Sequence, residues 1–257
     1  MQLFLWVLEI IGTIAFAISG AIVGIKREMD MLGVAILGLT TAVGGGVIRD
    51  LILGQQPPKT FRDPTCALIA LAVSLIVFAS FYFGKHFHNK RLPDMLLLIA
   101  DSCGLGIFTV NGVAAAMDVP EEITLLLFSG VLTGVGGGVL RDMLAGNRPY
   151  VFVKHVYASA SILGAVSYLL LHGQMDDAYA TCISISLTVI LRLLSSYYRW
   201  NLPKRLHCRN QLIILEISTV PLKECSTDAY LITEPRRRVP VCIRPRGFAM
   251  RRCQAER

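Results

Sequence analysis

Gly44-Gly45-Gly46-Val47-Ile48-Arg49-Asp50-Leu51-Ile52-Leu53-Gly54-Gln55-Gln56-Pro57 returns 92 residues later as Gly136-Gly137-Gly138-Val139-Leu140-Arg141-Asp142-Met143-Leu144-Ala145-Gly146-Asn147-Arg148-Pro149. Both copies sit inside apolar segments. Consecutive glycines are among the poorest helix formers, and an Arg-Asp pair is costly in hydrocarbon, so a sequence that carries both twice carries them for a reason.

The segments around the motif are apolar enough to cross a bilayer. Hydrophobic residues make up 54% of the 257-residue chain and charged residues 17%, against about 25% charged in soluble domains. Roughly 20 mostly apolar residues are needed per span. Seven segments qualify: 3–24, 32–53, 64–84, 94–117, 123–145, 151–172 and 177–197. The first has neither a basic leader nor a convincing cleavage site, so it reads as a retained span and not a signal peptide. Cys66, Cys103 and Cys182 lie in apolar segments and four more cysteines are scattered through the tail. That pattern is neither a disulfide framework nor a metal site. No nucleophile elbow, Walker loop or metal cluster is present, so no enzyme, cofactor, metal or nucleic-acid partner is expected.

The 92-residue offset also pairs Glu9 with Asp101, Gly12 with Gly104, Phe16 with Phe108 and Gly20 with Gly112. The repeat is therefore a three-span unit, and an odd number of spans forces its two copies into opposite orientations. The expected fold is an all-α integral membrane protein of seven transmembrane helices. Residues 1–92 form the first three-helix repeat, 93–175 the second and inverted one, 176–200 the seventh helix, and 201–257 a basic tail. That tail holds 12 Lys/Arg and 5 Asp/Glu, which accounts for the whole formal charge of +7. It is expected to be mostly disordered, with a short strand or helix at 211–220, and to lie near anionic lipid. Lys26, Arg27, Lys85, Lys90, Arg91, Arg148 and Lys154 fall on the tail's side, while the opposite loops hold only Lys59 and Arg62. The positive-inside rule then places the N-terminus outside and the C-terminus in the cytoplasm.

Two readings of the motif stand. Gly44, Gly45, Gly46 and Gly136, Gly137, Gly138 can break their helices at mid-membrane and expose carbonyls to a hydrated cation, which requires that the break face protein or water. The plainer reading is that they only let helices pack closely. Adjacent residues on a helix do not face one another. Arg49 and Arg141 are therefore expected to pair across helices, with Glu9 and Asp101 as the intramembrane carboxylates, in a structural lock or a gate. Ser19 and Asn111, at equivalent positions, are candidates to line a polar path.

The paired Gly-Gly-Gly-x-x-Arg-Asp motifs, each in the second span of a three-span repeat and followed by a seventh span, resemble the prokaryotic branch of the trimeric intracellular cation channel family. Members are also described as glycine transporters or uncharacterised inner-membrane proteins. The resemblance covers residues 1–203. It implies a homotrimer in the inner membrane, second and fifth spans kinked at the triplets, and a monovalent, potassium-type cation path through each protomer. The pore-region residues it implies are Gly44, Gly45, Gly46, Arg49, Asp50, Gly136, Gly137, Gly138, Arg141 and Asp142. A secondary transporter for glycine or a similar small zwitterion is the alternative, since broken helices can hold a carboxylate as readily as a cation. A non-transporting membrane scaffold is the third. Because the repeats and seventh span are complete by Trp200, truncation after Lys204 is expected to leave assembly and flux in neutral liposomes unchanged. Size-exclusion profiles and flux of the shortened protein check this.

Overall fold

The computed structural model describes residues 2–83, 91–117, 122–153, 156–198, 230–232 and 241–243. Nine helices are found among them: α1 (Gln2–Lys26), α2 (Met31–Ile52), α3 (Lys59–Arg62), α4 (Thr65–Phe83), α5 (Arg91–Ala116), α6 (Ile123–Leu144), α7 (Tyr150–Val153), α8 (Val156–Leu171) and α9 (Asp177–Tyr197). Six are long and apolar enough to cross a membrane, and Tyr157–Leu171 is a shorter apolar helix. The span expected at 151–172 is thus two pieces, the single turn α7 and the 16-residue α8.

Two of the outer helices bury small or polar residues and expose large apolar ones, the reverse of a water-soluble bundle. α9 buries Thr181, Ser184, Thr188, Arg192 and Ser195 and exposes Ile183, Ile190 and Leu194. α4 turns Leu68 and Ile76 outward and buries Ala70 and Ser74. With lipid tails as apolar as leucine, helices associate through small residues and polar side chains, and the large apolar ones face the hydrocarbon.

The centre of the fold is built from equivalent residues of the two repeats. Phe16 and Phe108 meet with ring centroids 5.1 Å apart. A Cβ on Gly20 would lie 2.7 Å from Thr41 Oγ1, and one on Gly112 would lie 2.6 Å from Thr133 Oγ1. Where α2 crosses α6, a Cβ on Gly45 would press into the Thr133 carbonyl and one on Gly137 into the Thr41 carbonyl. Moving four residues forward on α2 moves four residues back on α6, so the two helices cross antiparallel.

Both helices stay α-helical through their triplets. The breaks expected at Gly44–Gly46 and Gly136–Gly138 are therefore corrected, and close backbone approach accounts for the central glycines. The arithmetic favours this outcome. Each glycine costs a helix about 1 kcal/mol relative to alanine, whereas each backbone group left unpaired in hydrocarbon costs several.

Each of these helices ends the same way. Gly54 and Gly146 take φ of +71° and +66°, a left-handed conformation that glycine adopts without a Cβ penalty. Gln55 N–H donates to the Asp50 carbonyl at 2.9 Å and Asn147 N–H to the Asp142 carbonyl at 2.8 Å. This Schellman ending stops the helix, and α3 and α7 follow it.

Residues 205–257 form a separate unit. In it Tyr230–Ile232 pairs antiparallel with Val241–Ile243; the short element expected at 211–220 lies outside the described residues.

Gly45→Ala and Gly137→Ala are each expected to destabilise the detergent-solubilised protein by about 1–3 kcal/mol through overpacking. Gly46→Ala is the control, because its Cβ would meet only Arg49 Nη2, at 3.9 Å. Thermal unfolding of the three variants distinguishes them.

Candidate permeation site

One turn beyond each triplet an arginine grips the aspartate that follows it. Asp50 Oδ1 accepts from Arg49 Nε at 2.9 Å and lies 2.7 Å from Nη2; Asp142 Oδ1 is 2.9 Å from both Nε and Nη2 of Arg141. The expectation that adjacent residues would not pair is thereby corrected. The rule compares the directions in which side chains leave the helix, and the long arginine stem swings its fork back onto its neighbour. The second carboxylate oxygen is also used in both copies: Asp50 Oδ2 accepts from Lys59 N–H at 2.8 Å and Asp142 Oδ2 from Tyr150 N–H at 2.9 Å. Each aspartate therefore ties the end of its long helix to the first residue of the short helix after it.

Beyond that shared lock the two repeats diverge. Arg141 Nη1 also donates to Asp101 Oδ1 at 2.7 Å and to Ser19 Oγ. For Arg141 the expected cross-helix partner is one of the two candidate carboxylates, Asp101. Tyr157 OH reaches the same Asp101 oxygen at 3.5 Å, and Arg192 Nη2 approaches the other at 3.5 Å while its guanidinium lies 4.6 Å from the Tyr157 ring centroid. Arg141, Asp101, Asp142 and Arg192 are all buried, with 1–3% exposure. Two positive and two negative groups cancel. Removing one member of such a set leaves a buried charge uncompensated, which is where its stabilising role becomes measurable.

In the first repeat Arg49 does not reach Glu9. Glu9 Oε2 instead lies 3.4 Å from Lys59 Nζ, which corrects the expectation that an arginine of the motif would hold it. Asp50 occupies the arginine fork, and by holding the Lys59 amide it brings the Lys59 ammonium within reach of Glu9. Of the other two candidates, Ser19 bonds Arg141, while Asn111 Oδ1 is buried without a hydrogen-bond partner.

Arg192 was missed in the sequence because α9 has no counterpart in the first repeat. The signal was there: an arginine inside an apolar span, on one helical stripe with Thr181, Ser184 and Thr188. Asp101, Arg141, Tyr150, Arg192, Ser196 and Asp94 line a cleft of about 310 Å³. The triplets lie deeper. Gly45 and Gly137 form the crossing, Gly44 abuts Leu140, Gly136 faces Gly45, and Gly138 lies against the Tyr157 hydroxyl.

These features define a multi-pass, all-helical membrane protein with a duplicated Gly-Gly-Gly-x-x-Arg-Asp core and a buried, charge-balanced cluster. The family model described as glycine transporter matches the chain twice, over residues 6–82 and 98–173. The chain belongs to that family, the prokaryotic relatives of the trimeric intracellular cation channels. It is 34% identical to the inner membrane protein YadS of Escherichia coli (strain K12), over 76% of this chain and 92% of that protein. It is 35% identical to the membrane protein YvgT of Bacillus subtilis (strain 168), over 77% and 95%. Among solved structures, a TRIC cation channel studied for conductance matches with 37% identity and a TM-score of 0.67, over 77% of this chain and 96% of the other. The trimeric TRIC orthologue of Rhodobacter sphaeroides matches with 30% identity and a TM-score of 0.70, over 77% and 99%. The inner membrane is the compartment of the Escherichia coli relative, and this chain is likewise a multi-pass membrane protein of that kind.

Arg141→Ala is expected to cost about 3–5 kcal/mol of stability, because it strands Asp142 and removes the closer partner of Asp101. Arg141→Lys is expected to recover only part, since an ammonium cannot reproduce the two-sided fork. Melting temperatures in detergent check both.

Proposed function

We propose that this protein is a passive channel for monovalent, potassium-type cations, acting as a homotrimer with one path through each protomer. The observation that carries the reading is the match to solved cation channels across nearly their whole length, at up to 37% identity. The path runs past the α2–α6 crossing between two inverted three-helix repeats, with the N-terminus outside and the basic tail against the anionic cytoplasmic leaflet. Helices that remain intact at the crossing supply the path with hydroxyls and charged side chains in place of freed carbonyls. Thr41, Thr133, Ser19, Asn111 and the two Arg-Asp locks are the polar groups proposed to line it.

A second reading, transport of glycine or a similar zwitterion, is favoured by one feature: the cleft holds guanidinium groups of Arg141 and Arg192 beside carboxylates of Asp94 and Asp101. Such a pairing matches both ends of an amino acid.

Purified protein in liposomes separates the two. Ohmic potassium current without glycine dependence is expected. Saturable glycine uptake driven by an ion gradient, without ohmic current, establishes the transporter instead.

A further inference from the structure

Glu9 and Asp101 are equivalent residues of the two repeats, yet only one is neutralised in the protein interior. Asp101 is 3% exposed and touches Arg141, Arg192 and Tyr157. The Glu9 side chain is 24% exposed, and the ion pair it makes is to Lys59 Nζ at 3.4 Å, a lysine whose own side chain is 62% exposed. Glu9 nevertheless stands on the inward stripe of α1, at i+4 and i+7 spacing from Thr13 and Phe16, each of which is 1% exposed. It is a carboxylate on the inward stripe of α1 that nevertheless stays partly exposed.

The chain of contacts that leads to it starts at the glycine motif. Arg49 fixes Asp50, Asp50 fixes the Lys59 amide, and the Lys59 ammonium then extends to Glu9. In the second repeat the residue whose amide Asp142 fixes is Tyr150, which brings no ammonium. Seven residues after Tyr150 comes Tyr157 against the carboxylate; seven after Lys59 comes the smaller Cys66. The first repeat thus has neither the phenol nor the second guanidinium that closes over Asp101.

We propose that Glu9 is a binding site for hydrated monovalent cations at the end of the protein where α1 begins and α2 ends, and that the Lys59 ammonium is its resident competitor. The proposal rests on the channel reading above. An exposed ion pair of this geometry is weak and exchanges with dissolved salt, so a cation arriving from solution displaces the ammonium and shares the carboxylate oxygens. While free of lysine, the fixed negative charge concentrates cations at this entrance and raises their rate of entry. Salt screens that effect.

The test is potassium conductance in planar bilayers of wild type, Lys59→Gln, Lys59→Arg, Glu9→Gln and the Glu9→Gln/Lys59→Gln double variant. Recordings at about 0.1 M and about 1 M KCl set Debye lengths of roughly 10 Å and 3 Å. At low salt Lys59→Gln is expected to raise conductance by about two- to ten-fold, Glu9→Gln to lower it, and Lys59→Arg to match wild type. At high salt the differences should collapse. The double variant should behave as Glu9→Gln alone, because without the carboxylate there is nothing for lysine to compete for. An equal gain from Lys59→Gln with and without Glu9 makes Lys59 a simple repulsive charge and overturns the site. Wild-type conductance that Glu9→Gln leaves unchanged at low salt overturns the site while leaving the channel reading intact. Absence of any wild-type current overturns both.

Discussion

At the crossing of α2 and α6 the carbonyls of Thr133 and Thr41 occupy the places where Cβ atoms of Gly45 and Gly137 would be. No other residue type lets the backbones come this close, and the rest of the protein is arranged around the approach. It brings Phe16 against Phe108 and sets Gly20 and Gly112 on the threonine hydroxyls. It also carries the charged ends of both helices to opposite ends of the protein, where each must be held by local partners. A hydrocarbon surround offers no hydrophobic drive for this assembly, so close contact between small residues and buried polar bonds has to supply it.

The Arg-Asp pairs are the second consequence. A helix that ends in a Schellman turn leaves its last carbonyls partly spent and its following loop free, and the aspartate one turn back captures that loop through the next short helix's first amide. An unpaired aspartate would be too costly there, so the adjacent arginine neutralises it. Identical sequence at the two motifs produces identical locks. What differs is what lies one residue beyond the lock: lysine at the start of α3, tyrosine at the start of α7.

That distinction also separates what the sequence made legible from what it did not. The duplication, the membrane class, the intramembrane carboxylates Glu9 and Asp101 and the importance of Gly45 and Gly137 could all be read from residues at constant offset. Helix continuity through the triplets could not, because intrinsic propensity argues for a break, and only the absence of water to rescue freed backbone groups reverses it. Glu9 is legible as an intramembrane carboxylate, but its partner is not: Lys59 opens α3, whose position depends on the Asp50 contact. Arg192 lies outside the repeat altogether, so the internal symmetry of the sequence carries no signal for it.

α9 is consequently more than an appendage to a duplicated core. Apart from Ala180 its buried stripe is polar, and it delivers Arg192 to a carboxylate that already has one arginine. A strictly two-fold protein would present the same group at both ends. Here the added helix closes one end with a balanced set of four buried charges and a phenol, and leaves the equivalent carboxylate at the other end to a single exposed lysine. Asymmetry between the two ends of the protein thus arises from a duplicated sequence by changing few elements: one helix appended, lysine or tyrosine at the amide that the aspartate holds, and cysteine or tyrosine seven residues further on.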